Sequence, residues 1–154
     1  MELIMRFVPT AFATLIGSLL LVLSFSAQTR QIENFSLPVF DSEARFELNN
    51  ELKSGLVVLN FWASWCTACI KEIPELEALK SKYSKKANFF AVNAGDKASY
   101  IKRFTKKHGF TYTVLHDKDK SFCKSNEILE LPRTIVIDQA GKTIYDSNVP
   151  PKSL

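Results

Sequence analysis

Phe61-Trp62-Ala63-Ser64-Trp65-Cys66-Thr67-Ala68-Cys69 follows the apolar run Leu56 to Leu59 and precedes a helical pattern beginning at Ile70. A strand is therefore expected to deliver two cysteines to the start of a helix. A helix N-terminus carries unpaired backbone N–H groups and about half a positive elementary charge, which favour an anion such as a thiolate. A free cysteine has a pKa of about 8.5, and in Cys-x-x-Cys motifs at helix N-termini it falls to roughly 3.5–7.5. Cys66 is then a nucleophile near neutral pH. Cys69 lies close enough to attack a mixed disulfide formed by the first thiol, so electrons pass as a pair. The pattern implies dithiol–disulfide exchange.

Outward from this stretch the chain alternates strand and helix signals. Phe35 to Phe40 and Ala44 to Leu48 flank Asp41-Ser42-Glu43 as the arms of a hairpin. Leu56 to Phe61 reads as a central strand covered on both faces. From Cys66 to about Lys86, Ile70, Ile73, Leu76, Leu79 and Tyr83 recur on one helical face, and Pro74 inside the pattern predicts a kink. Asn88 to Asn93 reads as a second buried strand. Asp96 is expected to cap a helix that turns Tyr100, Ile101 and Phe104 inward and ends at Gly109. Thr113 to His116 is a third strand, Ser121 to Leu129 a short helix containing Cys123, and Ile135 to Tyr145 a hairpin turning at Ala140-Gly141. The prolines at 150 and 151 argue against a further helix.

The 154 residues, 46% of them apolar, fit one globular domain with its own core over residues 28–154. Residues 1–27 read as an export segment, either a cleaved signal peptide or a retained membrane anchor. Small residues at Ser24 to Ala27 favour cleavage, whereas the largely apolar stretch 7–25, 19 residues long, approaches the length of a spanning helix. Three cysteines are too few for a scaffold held by disulfides. A zinc site would need two further ligands, and Cys123, His108 and His116 form no second close pair, so no metal is expected. The basic clusters Lys80, Lys82, Lys85, Lys86 and Lys102, Arg103, Lys106, Lys107 could favour an anionic membrane surface or an acidic partner, but the stronger reading is solvated helix faces and last turns. No nucleic-acid partner is expected, because aromatic residues do not interleave with them. Cys123 is expected to be a small buried residue, and His108 and His116 to sit at element ends in solvent.

The chain resembles the thioredoxin superfamily, specifically the exported TlpA/ResA-like thiol-disulfide oxidoreductases. The resemblance rests on Val57 to Cys66, then Cys69 with Glu72 and Pro74, and finally Leu131-Pro132-Arg133-Thr134 before Ile135 to Asp138. It implies an α/β thioredoxin fold, a central mixed sheet flanked by helices, here with an N-terminal β-hairpin extension. The usual closing helix has no counterpart in the residues up to Leu154. It further implies Cys66 as attacking thiol, Cys69 as resolving thiol and Pro132 as a cis-proline opposite them, with Leu131 presenting a backbone edge to substrate. Asn60 stands where thioredoxins carry a buried Asp, and an amide cannot accept that proton. The resemblance assigns the acid-base role to Glu72.

Trp62 is expected to pack inward while Trp65 meets the substrate beside Thr67 and Ala68. Ala68 replaces the proline common before the second cysteine, which leaves the redox potential open. The implied partners are disulfide-containing or dithiol proteins and a membrane thiol carrier that recharges the motif, with no bound cofactor, and the direction expected is reduction of protein disulfides. Two other readings are a thiol peroxidase and a redox-inactive peptide-binding module. Ala63, where peroxidases carry a Thr, argues against the first, and retention of both cysteines against the second.

Overall fold

Residues 30–154 are described by a computed structural model, and the expected export segment at residues 1–27 lies outside them. From the N-terminus the elements are β1 (Ser36–Pro38), β2 (Arg45–Glu47), α1 (Leu48–Glu51), β3 (Leu56–Trp62) and α2 (Thr67–Tyr83). They continue as β4 (Ala87–Ala94), α3 (Ala98–His108), β5 (Thr113–Asp117), α4 (Ser121–Ser125), β6 (Arg133–Ile137) and β7 (Thr143–Ser147). Five strands form one sheet in the order β5-β4-β3-β6-β7, in which β3, β4 and β5 are mutually parallel, β6 pairs antiparallel with β3, and β7 pairs antiparallel with β6. This is the mixed α/β sheet of the thioredoxin fold.

Successive side chains of a strand point to opposite faces, and here the two faces have separate cores. Val57, Leu59 and Phe61 of β3 join Phe90, Val92, Ile135 and Ile137 on one face. Val58 and Trp62 join Ala91 and Val136 on the other. The second face is covered by α2 through Ile73, Leu76 and Leu79 and by α3 through Ile101 and Phe104. Because both faces are dry, β3 reads as an uninterrupted apolar run.

The first face is covered by the N-terminal extension and by Cys123 of α4. The expected hairpin is present: β1 and β2 pair antiparallel, with Asp41 at φ 57° in the connecting turn. The extension reaches both edges of the sheet. Ile32 donates to the Gly141 carbonyl at 3.0 Å beside β7, and Phe40 donates to Val114 of edge strand β5 at 2.8 Å. Capping an edge in this way removes a template for unwanted strand pairing.

Several expected boundaries move. Helix α2 begins at Thr67 and ends at Tyr83, α4 stops at Ser125, and α1 is an additional short helix. Tyr100 is 44% exposed rather than inward, while Gly109 ends α3 as expected, at a φ of 67° that suits glycine. His108 and His116 are half-buried instead of lying in open solvent. Residues 148–154 contain no helix, and Leu154 packs with the core beneath α2, while Lys152 meets Glu75 at 3.2 Å.

Phe46 of the hairpin is 2% exposed and meets Phe90 edge-on at 4.7 Å, so the extension is part of the core. Phe46→Ala is expected to cost about 3–5 kcal/mol in urea unfolding, whereas a loss below about 1 kcal/mol would mark the hairpin as an appendage.

Candidate active site

Helix α2 starts between the two cysteines. Cys66 is its N-cap, with extended backbone angles of φ −84° and ψ 99°, and its Sγ accepts the backbone N–H of Cys69 at 3.1 Å. The sulfur thus takes the place that a serine or aspartate oxygen occupies in ordinary caps. Cys66 and Cys69 are joined as a disulfide with Cα atoms 5.3 Å apart, and both are buried. Trp65, Thr67 and Ala68 around them are exposed, Trp65 to 66%.

Two hydrogen bonds hold the turn that carries Cys66. The Cys66 N–H donates to the Ala63 carbonyl at 3.0 Å, and the Ser64 N–H donates to Asp96 Oδ2 at 2.6 Å. Asp96 is 8% exposed, and the same oxygen accepts from Asn93 Nδ2 at 2.8 Å. Its own N–H donates to Asn93 Oδ1 at 2.9 Å, and its carbonyl lies 2.9 Å from His116 Nε2. Gly95, at φ +82°, lets the chain turn back after β4 to bring this carboxylate under the active turn. Asp96 therefore does not cap α3. Lys97 precedes that helix, with no side-chain cap. The signal available in the sequence was position, because Asp96 follows the carboxyl end of a parallel strand, where open α/β sheets place their sites.

The Leu131–Pro132 peptide bond is cis. Register places it at the site: Arg133 pairs with Phe61, so Pro132 comes level with Trp62, where the dithiol turn leaves the sheet. Pro132 is buried, and half-buried Leu131 packs against the cluster that contains both cysteines. Two residues further along the register, Asn60 Nδ2 donates to Thr134 Oγ1 at 3.1 Å. The amide at position 60 is buried, neutral and paired.

Glu72 follows Cys69 by three residues, which sets the two side chains on one side of α2. Its Oε2 is buried and has no hydrogen-bond partner among the described residues. Burial, reinforced by the neighbouring charge of Glu75, pushes its carboxyl up to about 7. Trp62 is 1% exposed and Trp65 is open to solvent, the division expected of the two indoles. Cys123 stands apart from the dithiol. It is buried, its thiol is pushed well up by burial and by Asp117, and its N–H donates to Asp117 Oδ2 at 2.8 Å.

The Redoxin family profile matches residues 27–153. The chain is 32% identical over 109 residues to the thiol-disulfide oxidoreductase ResA of Bacillus thuringiensis subsp. konkukian, covering 70% of this chain and 63% of that protein. ResA of Halalkalibacterium halodurans is 31% identical over 122 residues, covering 79% of this chain and 68% of that one. The chain thus spans about two thirds of the length of these relatives. Among solved structures, a candidate thiol:disulfide interchange protein DsbE from Chlorobium tepidum superposes with a TM-score of 0.71 at 25% identity, over 80% of this chain and 86% of the other. With a Cys-x-x-Cys pair at a helix start, a cis-proline level with it and these likenesses, the chain belongs to the Redoxin family, in which its relatives include proteins named thiol-disulfide oxidoreductase ResA.

Proposed function

We propose that the protein is an exported enzyme that reduces disulfides in other proteins. The observation that carries this reading is the Cys66 sulfur at the N-cap of α2, bonded to Cys69 and accepting a backbone N–H. In the reduced enzyme the same N–H and the helix field stabilise a Cys66 thiolate. That thiolate attacks one sulfur of a substrate disulfide. The substrate S–S bond breaks, a mixed disulfide forms, and the departing substrate sulfur takes a proton. Glu72 then accepts the Cys69 proton, and the Cys69 thiolate attacks Cys66 Sγ. The enzyme disulfide closes and the second substrate thiol leaves, so two electrons have passed to the substrate.

Each remaining site residue has a place in this scheme. The cis bond before Pro132 turns the Leu131 backbone towards an incoming extended segment, and exposed Trp65, Thr67 and Ala68 form the surface on which it rests. Glu72 replaces the acid-base function that Asn60 lacks, and a carboxyl near pH 7 is matched to proton transfer at neutral pH. The apolar residues 7–25 support export as a signal peptide or membrane anchor. In an oxidising compartment the spent disulfide requires a reductant, and a membrane thiol carrier supplies two electrons to it. A peroxidase reading is disfavoured by Ala63, which offers no hydroxyl and gives its carbonyl to the Cys66 N–H.

Cys66→Ser should abolish catalysed reduction of insulin by dithiothreitol, and Cys69→Ser should accumulate mixed disulfides with its substrates. Activity in Cys66→Ser equal to wild type, or no conjugate in Cys69→Ser, would overturn the assigned roles. Dithiol motifs on this fold range from about −270 to −120 mV, roughly 7 kcal/mol for two electrons. A reductant should equilibrate with glutathione nearer the lower end, and a value near the upper end would make the protein an oxidant.

Glu72 gives a pH-dependent signature. Its carboxyl ionises near the ordinary 4.5 when unfolded and near 7 when folded, so between these values the folded state binds more protons. Stability from this group is full below pH 4.5 and is lost as pH rises through about 7. Urea midpoints of wild type should therefore fall relative to Glu72→Gln across that window. In the reduced protein the same substitution should shift the Cys66 titration, and an unchanged thiol pKa would remove Glu72 from the proton path.

A further inference from the structure

On the β4 side of β3, opposite the β6 side that carries Pro132, a groove of about 450 Å³ runs between the dithiol turn and α3. Trp65 lines it from the turn and Ile70 from the first turn of α2, and Tyr100, Arg103, Phe104 and Lys107 line it from α3. Its floor is firm, because Phe104 is 6% exposed and stacks on Trp62 at 4.5 Å. Its walls are open, with Trp65 66% and Tyr100 44% exposed. An apolar depression walled by two solvent-facing aromatic rings, directly before the attacking cysteine, is suited to one bulky apolar side chain.

The rim is cationic. Helix α3 carries Lys102, Arg103, Lys106 and Lys107 and no acidic residue. Lys102 pairs with Asp41 at 3.5 Å, whereas Arg103 and Lys107 meet no carboxylate among the described residues. The Arg103 guanidinium lies 5.1 Å from the Tyr100 ring centroid, which holds it at the groove mouth. Asp96, the carboxylate nearest the floor, is buried and engaged with Ser64 and Asn93. The helix dipole accounts for cations in the last turn of α3, at Lys106 and Lys107, but not for Arg103 in mid-helix or for the exposed ring beside it.

We infer that this groove is a docking subsite for the polypeptide that exchanges disulfides at Cys66. It takes an aromatic or bulky aliphatic side chain close to the reactive cysteine, with acidic residues reaching Arg103 and Lys107. Charge complementarity selects the acidic partner, and the concave, ring-walled shape favours a side chain over a flat lipid surface. The inference rests on the exchange reaction proposed above and names its substrate class.

Two cyclic disulfide peptides test it, identical except that the phenylalanine beside one cysteine is flanked by two glutamates in one and two lysines in the other. The reduced wild-type protein should reduce the glutamate peptide with a kcat/KM about fivefold or more above that of the lysine peptide, the preference shrinking with salt. In R103E/K107E the ratio should invert. Being a ratio, it is insensitive to a uniform loss of folding or thiol reactivity. In Tyr100→Ser, KM should rise for the phenylalanine peptide and not for its alanine counterpart. Equal rates on the two charged peptides would overturn the subsite. So would binding of wild type, but not R103E/K107E, to phosphatidylglycerol vesicles with no peptide preference, since that would assign the rim to a membrane. Wild-type reduction of a small aromatic disulfide separates the two levels. Its presence without peptide discrimination refutes the groove alone, and its absence refutes the exchange reaction beneath it.

Discussion

The contact on which the site depends is the backbone N–H of Cys69 directed at the Cys66 sulfur. It forms only if the helix begins between the two cysteines, with Cys66 still extended and Cys69 already in the first turn. That condition propagates backwards. Strand β3 must end at Trp62, and the residues between must turn sharply, which they do through the Ala63 carbonyl and the Asp96 carboxylate. It also propagates sideways, because the third of five strands has β4 on one side and β6 on the other to anchor both ends of the turn's surroundings. A sulfur fixed in this way meets a donor that no intrahelical carbonyl claims.

Three polar side chains around the two cysteines differ in what their surroundings let them do. Asn60, on the sheet, is a neutral amide bonded to Thr134 and carries no proton chemistry. Glu72, on the helix, is the only one of the three with a buried oxygen left unpartnered, and the desolvation that raises its pKa follows from that burial. Asp96 is committed to two N–H donors and acts on geometry. Glu72 sits on the element whose N-terminus carries the cysteines, so one helix holds both sulfurs and the proposed proton acceptor.

Features set by local periodicity were readable from the sequence, and features set by tertiary contact were not. The central strand, the dithiol helix, the hairpin and the final β-hairpin follow from apolar spacing and turn residues that agree with one another. The sequence Leu48-Asn49-Asn50-Glu51 has no helical pattern, and α1 exists because Asn34 Oδ1 accepts the Asn49 N–H at 3.0 Å from outside it. Asp96 carries a cap signal, because it is an acid just before a helix. Only the turn at Gly95 and the return of the chain towards Ser64 redirect it. Tyr100 sits beside Ile101 at the margin of the apolar stripe, where spacing alone cannot say whether a ring is covered. Cys66, Cys69, Pro132 and Glu72 carry a signal in the motif and the resemblance together, whereas the groove along α3 shows in the sequence only as the basic cluster at 102–107, with nothing to bring Trp65 against it.

The dithiol is flanked by two unlike walls. On the β6 side the proposed contact is the backbone edge at Leu131, and main-chain hydrogen bonds of that kind accept almost any extended segment, giving affinity without discrimination. On the β4 side the groove is lined by side chains, and rings and cations distinguish partners by size and charge. On these two proposals, discrimination among disulfides falls mainly to the β4 wall and alignment of the scissile bond with Cys66 to the β6 wall. The two proposed demands sit on opposite neighbours of one strand, so substitutions along α3 can act on the proposed partner preference while leaving the Cys69 N–H directed at the Cys66 sulfur.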